Sequence, residues 1–534
     1  MADKQPVYIL PENVSRTLGK DAQRNNILAA KIIADIVKTT LGPKGMDKML
    51  VDSAGNIIVT NDGVTILEEI QLDHPAAKMI AEIAKTQENE VGDGTTTVVM
   101  LAGRLLENAE KLLDKKIHPT VIIKGYRLAA DKAKSILNEI SVPVSDRHIL
   151  KQIAMTAMTG KGAESNREHL ADLIVTGVDQ IASGKDINMD FIKIVKQKGS
   201  SIEDSELING IVLDKEVANE FMPRRIENAS ILMIDFPLEL RSPETETKIS
   251  VSTPEQLQQF IASEELALRD MTSKIINSSA KVVFCQKGID DVAQYFLSKA
   301  GIMAYRRVAK SDMEKLSMAT SGRIVSSLQE IRKEDLGFAM IVEQIKKGDN
   351  TMTYVRECKN PKAVTILLCG STDHVLDEVE RAVKDGLGDV SSAVKDGRVV
   401  SGGGAVEMEL AKRLRQYAKT LGGREQLAVE EFASAMEYVP ETLAENAGLD
   451  PVNIMTELKQ RHESGASRDG INLFVNRVED CLAAGIVEPV RVKLLAVASS
   501  SEVATMILRI DDVLASSGSK VNSMSRPNAY DGMD

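Results

Sequence analysis

At 534 residues the chain is longer than a single hydrophobic core usually serves, so about two to four domains are expected. Its 78 acidic against 66 basic residues leave a net charge of −12, which argues against a nucleic-acid or anionic-membrane surface as the main partner. Cys285, Cys358, Cys369 and Cys481 show no C-x-x-C spacing and the histidines are dispersed, a pattern of reduced thiols without structural zinc. The N-terminus is polar and no apolar run approaches bilayer length, so neither a signal peptide nor a membrane span is expected and a cytoplasmic protein is implied.

With aromatics at 3% and no Trp, the apolar residues are those of long packed helices, not of a base-stacking or carbohydrate surface. Ile27, Leu28, Ile32, Ile33, Ile36 and Val37 recur at helical spacing and predict a first helix over 25–40, stopped by Gly42 and Pro43. Residues 49–51 and 56–60 read as a β-hairpin between helices, and Asn61, Asp62 and Gly63 then form a strong hairpin-turn signal. Helices follow at about 74–91, 95–113 and 119–140, the last opening on Pro119.

Between the first two of these runs stand Gly92, Asp93, Gly94, Thr95, Thr96 and Thr97. A helix start presents unpaired N–H groups and the positive end of its dipole, so a glycine-rich loop feeding one lets a phosphate chain approach the backbone. Asp93 can then hold the Mg²⁺ that such a chain carries. The same residues are also ordinary cap and turn chemistry. No G-x-x-x-x-G-K-[ST] pattern occurs, so this is not the common P-loop.

Residues 141–145 break the helical pattern; it resumes over 149–159 and ends in Gly160, Lys161 and Gly162. From about 210 to 365 short β-rich runs (211–213, 229–236, 281–285, 303–308, 323–325 and 353–355) alternate with helices, as in a compact α/β domain inserted in a helical chain. Residues 242–275 interrupt it with an acidic, proline-bounded approach and a helix over 255–276, which reads as a protruding excursion. After 370 long helical patterns return to about 515, so both chain ends are expected to build one domain. The last ~18 residues read as a disordered tail, and there is no internal repeat.

Six motifs now stand in one order: LGPKGMDKM at 41–49, NDGVTI at 61–66, VGDGTTT at 91–97, GKG at 160–162, SGGG at 401–404 and LAENAG at 443–448. In this the chain resembles the group II chaperonins over about 10–515. The resemblance implies a multidomain α and α/β chaperonin fold. A mostly helical equatorial domain would span 1–145 and 401–534, a small intermediate hinge domain 146–214 and 365–400, and an α/β apical domain 215–364, its helical protrusion lying at about 242–275.

The resemblance also implies roles. Thr40, Leu41, Gly42 and Pro43 would pass under the phosphates and base of ATP, with Asn61 beside them. Asp93 would bind Mg²⁺, and Gly94, Thr95, Thr96 and Thr97 would hold phosphate oxygens. Gly403 would let the backbone approach the nucleotide, with Leu473 against the base and Glu488 toward the ribose. Asp62 and Asp385 would sit beside the attacking water, Asp385 as the catalytic carboxylate. Gly160 and Lys161 would report the γ-phosphate to the domain that moves. The implied function is an ATP-dependent chaperone that encloses non-native polypeptides. Identical or paralogous subunits would form two stacked rings with a built-in lid in place of a separate co-chaperonin. The hairpin near 49–60 would pair with a neighbour's terminal strands.

Plainer readings exist for several of these residues. Asn61 to Gly63 can be only a turn, Lys161 an ordinary helix stop, 401–404 a flexible linker, and Asp385 one acid on a polar helix face. Asp385 is flanked by Lys384 and Gly386, a departure from the commoner family pattern that bears on the hydrolysis rate. A small-molecule kinase or phosphatase would need a second, substrate-shaped pocket that no motif supplies, and a non-catalytic ring scaffold would not need Asp62, Asp93 and Asp385 together.

Overall fold

The computed structural model describes residues 14–51, 55, 57–161, 166–182, 184, 187–240, 253–347, 350–359 and 361–516. Asn56, Gly162, the approach at 242–252 and the tail from 517 lie outside the described residues, as do the side chains of Leu257 and Ile261.

The first helix, Gly19–Lys38, buries Ile27, Ala30, Ile33 and Val37 on one face. It starts earlier than expected because its first turns are largely exposed and polar, so they carry no apolar period. Lys48–Val51 and Ile57–Thr60 form the expected antiparallel hairpin. Helix Pro75–Val91 opens on a His74 cap with Pro75 behind it and ends at Gly92, whose φ of 83° favours glycine. Helix Thr95–Asp114 is buried on almost every side. Its Gly103 lets helix Gly19–Lys38 cross closely, since a Cβ there would lie 2.4 Å from the Cβ of Ala34. With Pro119–Ile140 and helices Ala405–Ala418, Glu425–Met436 and Val490–Leu508 from the other end of the chain, they close one hydrophobic core. Burying each large aliphatic side chain there contributes about 1.5–3 kcal/mol. The chain ends also meet directly: Val14–Leu18 pairs antiparallel with Asp512–Ser516.

A second core joins helices Arg147–Ala157, Arg167–Ile181 and Asp373–Asp396 to a three-stranded sheet in which Val364–Gly370 lies between Ile192–Lys198 and Glu206–Ile208. The middle of the chain is built on a seven-stranded sheet. Met303–Tyr305, Val282–Cys285 and Arg225–Ile234 run parallel; Gly337–Lys347, Asn350–Arg356 and Ile211–Leu213 continue it antiparallel, and Ile324–Val325 pairs with Arg225–Ile234. Helix Pro254–Asn277 forms where a helix over 255–276 was expected. Thr253 caps it, and its C-terminal part packs on the sheet through Leu268 and Ile275.

Two expectations are corrected. Asp62 does not sit in a hairpin turn: it is the N-cap of helix Gly63–Glu69, its Oδ2 accepting from the N–H and hydroxyl of Thr65 at 2.8 and 2.7 Å. Asn-Asp-Gly serves either purpose, and here the apolar run Val64, Ile66, Leu67 draws the chain into a helix against the core. The stretch after 370 is not helical throughout, since Arg398–Ser401, Asp469–Asn472, Arg477–Asp480 and Val487–Pro489 are strands. Strands this short show no resolvable period. Among the described residues no helix is long and apolar enough to cross a membrane.

Candidate functional site

One cavity collects residues from eight stretches of chain. Thr40, Leu41, Gly42 and Pro43 line it from the loop after the first helix, Asn61 and Asp62 from the end of the hairpin, and Asp93 to Thr97 from the glycine loop. Gly160 and Lys161, Gly403, and Leu473 with Glu488 complete it. Leu443, Leu473, Ile486 and Val492 add apolar surface to a lining that also carries acids, threonines and Lys161.

The glycine loop opens the next helix without an ordinary side-chain cap. The N-cap of helix Thr95–Asp114 is Gly94, held at φ 80° without a side-chain cap, and the first-turn residues Thr95, Thr96 and Thr97 line the cavity. A Cβ at Gly94 would lie 2.8 Å from Val492, so glycine is required for space as well as conformation. Asp93 turns instead to the Lys161 ammonium at 3.6 Å.

Lys161 is not a simple helix stop. Its ammonium forms a hydrogen-bonded ion pair with Asp385 Oδ2 while facing Asp93. Asn61 Nδ2 donates to the Gly160 carbonyl at 2.5 Å, which ties this loop to the hairpin end. Asp62 Oδ1 stands 3.5 Å from the Thr95 hydroxyl. Burial pushes the Asp385 carboxyl up to about 7, with Asp93 and Asp62 adding to the shift and Lys161 opposing it. Burial also works against the Lys161 ammonium, yet Asp385 and Asp93 outweigh it and hold its proton. Both groups are thus driven toward their protonated forms, and we assign the charge to the lysine because carboxylates outnumber ammonium groups here. Burial raises Glu88 to about 8 and holds Asp389 well above the usual carboxylate range.

Asp385 does not line the cavity; it reaches it through Lys161 from helix Asp373–Asp396, where it is buried rather than on a solvated face. The glycines of this helix are packing positions. A Cβ on Gly386 would lie 2.9 Å from Ile174, and one on Gly388 would lie 2.5 Å from the Val91 carbonyl and 3.0 Å from Gly92. The helix that carries Asp385 therefore crosses the loop that carries Asp93 in direct backbone contact. Lys384 points away and pairs with Glu380 at 2.8 Å.

Residues 401–404 are not a flexible linker. Ser401 ends a strand, and Gly403 at φ 63° packs so closely that a Cβ would lie 2.7 Å from the Ile471 carbonyl. Asn446 of the LAENAG motif donates to the carbonyls of Lys38 and Leu41, both at 2.9 Å, and fixes the 40–43 loop.

Sequence reasoning missed Glu88, Asp389, the cavity-lining Thr156 and Lys493, and the part played by Asn446. The one available signal was spacing: Asp385 and Asp389 share a helix face at i and i+4, as do Asp385 and Arg381. Lys493 carried no motif.

The donor set fits Mg²⁺ bound with a phosphate. It consists of hard carboxylate and hydroxyl oxygens on the cavity wall, from Asp62, Asp93, Thr95, Thr96 and Thr97. Mg²⁺ ordinarily takes one or two carboxylates and completes its shell with phosphate and water. Asp93 is placed to supply that carboxylate.

The chain matches the model of the TCP-1/cpn60 chaperonin family over residues 33–517. It belongs to this family, on its group II branch. It is 56% identical over 520 residues to thermosome subunit beta of Archaeoglobus fulgidus, covering 96% of this chain and 95% of that one. To thermosome subunit beta of Methanothermobacter thermautotrophicus it is 54% identical over 532 residues, 99% of both chains. Among solved structures it is similar to the open-state monomer of a group II chaperonin from Methanococcoides burtonii, with a TM-score of 0.59 and 46% identity over 79% of this chain and all of that one.

Proposed function

We propose that the chain is one subunit of an ATP-driven, cytoplasmic group II chaperonin that encloses non-native polypeptides in a double-ring chamber. The observation that carries this reading is the line Asp93, Lys161, Asp385, which joins a helix-start phosphate cradle to a helix belonging to a different core.

The three packing regions support an equatorial nucleotide domain at 1–145 and 401–534, an intermediate domain at 146–214 and 365–400, and an apical domain at 215–364. The first core draws on residues up to Leu137 and from Val400 on, and the second mainly on 150–192 and 364–399. When bound, Mg²⁺ neutralises charge on the transferring phosphoryl group. Gly94 to Thr97 receive the phosphates and Asp93 the metal. Asp62 is fixed by its own cap bonds and leaves Oδ1 toward the cavity. Asp385 positions the attacking water. With no γ-phosphate, Lys161 occupies Asp385; an arriving phosphate competes for the ammonium and frees the carboxylate, which couples nucleotide to hinge.

The hairpin at 48–60 leaves Met49, Val51, Ile57 and Val59 exposed, and Leu18 and Leu514 are exposed on the paired terminal strands. Together they suit strand pairing with neighbouring identical or paralogous subunits. Helix Pro254–Asn277 is the proposed lid, so no separate co-chaperonin is needed.

Negative-stain imaging with an ATP turnover assay tests the reading. Double rings that hydrolyse ATP are expected; monomers with turnover would indicate a kinase or phosphatase, and inert rings a scaffold. Lys161→Ala is expected to retain hydrolysis but to close its rings less readily or with altered cooperativity. Protease protection of the closed state checks this, and normal ATP-dependent closure would count against the coupling role.

A further inference from the structure

Asp93 lines the cavity from a stretch of backbone with a glycine on each side. Gly92 and Gly94 hold φ of 83° and 80°, and neither carries a side chain that would restrict the peptide units around Asp93. The helix that follows begins its backbone bonds one residue later, with the Val98 N–H donating to the Gly94 carbonyl at 3.0 Å. The Asp93 carbonyl is held by a side chain instead. Gln87 Nε2, from helix Pro75–Val91, donates to it at 2.9 Å and to the Val492 carbonyl at 3.3 Å. Val492 lies near the start of helix Val490–Leu508 and also lines the cavity, so one amide ties the glycine loop to a second part of the wall.

The amide is fixed in both place and orientation. Gln87 is 0% exposed, and a Cβ on Gly94 would lie 3.0 Å from its Nε2 and 2.8 Å from Val492, so the loop is pinched between the two. Both of its partners are carbonyls and both require an N–H, which settles which end of the amide faces them. That orientation leaves Gln87 Oε1 buried without a hydrogen-bond partner among the described residues. A buried acceptor left unpaired is destabilising, and a methionine would fill much the same space without one. What distinguishes Gln87 from an apolar residue at this position is therefore the pair of bonds it donates.

We infer that Gln87 is a positioning residue for the metal: by holding the Asp93 carbonyl between two glycines, it aims the Asp93 carboxylate at the Mg²⁺ that arrives with the phosphates. This rests on the assignment of Asp93 to Mg²⁺ above and adds the residue that orients it. Gln87 does not line the cavity and acts only through the Asp93 backbone. Its bond fixes the planar peptide unit between Asp93 and Gly94, and the Asp93 side chain departs from the edge of that plane. Groups that orient a metal-binding side chain in this way ordinarily set metal affinity by about ten- to a hundredfold.

The test is calorimetric binding of ATP to the assembled full-length protein across a series of free Mg²⁺ concentrations, with turnover measured at the same points. Gln87→Met keeps the length of the side chain and removes both donors. It is expected to move the Mg²⁺ midpoint of ATP binding upward by about tenfold or more, with affinity and turnover recovering at high Mg²⁺. Gln87→Asn keeps the amide but is one methylene too short to span both carbonyls, and it should move the midpoint in the same direction. A packing role would spare the volume-matched methionine and penalise only the asparagine, and that result overturns the inference. An unchanged midpoint in both variants overturns it too, as does a loss that is equal at every Mg²⁺ concentration. Asp93→Ala is measured beside them: an intact midpoint there removes Asp93 from the metal and the inference with it. If the intact protein binds no ATP at any Mg²⁺ concentration, the nucleotide-site reading itself fails.

Discussion

Asp385→Ala is expected to leave Mg²⁺-ATP binding nearly intact while slowing hydrolysis by a factor on the order of 10²–10⁴, the usual contribution of a positioned acid–base group. The reason lies in where Asp385 comes from. It is carried by a helix of the second core and meets the cavity only through Lys161, so it contributes little of the binding surface. An aspartate is a weak base, and orientation of the water accounts for more of the effect than proton abstraction does. Asp93→Ala should separate from it by weakening Mg²⁺-ATP binding itself, since it removes the carboxylate proposed to hold the metal. Single-turnover hydrolysis beside a binding titration distinguishes the two, and wild-type turnover in Asp385→Ala would remove this residue from the mechanism. The departure at Lys384 and Gly386 does not change the expectation. Gly386 fills a contact with Ile174 that a Cβ would break, and Lys384 is engaged with Glu380.

What could be read in the chain beforehand follows from how local each signal is. Pro75, Gly92 and Pro119 bound long amphipathic helices, and caps and prolines act within one turn, so those elements were legible almost to the residue. The helix start at 92–97 was legible for the same reason: a glycine N-cap followed by threonines is a local chemical arrangement. Strand Gly337–Lys347 was not legible, because Phe338 and Met340 face solvent while Ala339 and Val342 face the core, and apolar residues on both faces erase the alternation. Asp62 was misread because one tripeptide serves both a hairpin and a helix cap, and only the core beyond it decides. Lys493 was invisible and Asp389 showed only its spacing from Asp385, since what makes each matter is a partner far along the chain or burial by other elements.

Replacing 243–267 with a short Gly/Ser linker is expected to leave assembly and ATP turnover in place but the chamber open. The boundary is set by the packing of helix Pro254–Asn277. Leu268 and Ile275, 2% and 0% exposed, belong to the core with Val283 and Leu297, whereas Phe260 and Leu266 are 40% and 62% exposed. A single helix seldom leaves large apolar side chains in water along its first half unless something covers them in another state. Thr253 and Pro254 make the start of this helix self-sufficient, so it can stand away from the sheet without unravelling. Cutting before Leu268 spares the sheet, and the phosphate cradle, Lys161 and Asp385 belong to other cores. Proteolysis of a captured unfolded protein during ATP cycling reads the result directly: the intact complex should shield its cargo and the truncated one should not. Equal protection would mean that the exposed half of the helix covers something other than the chamber mouth, and the lid would have to be sought elsewhere in the apical region.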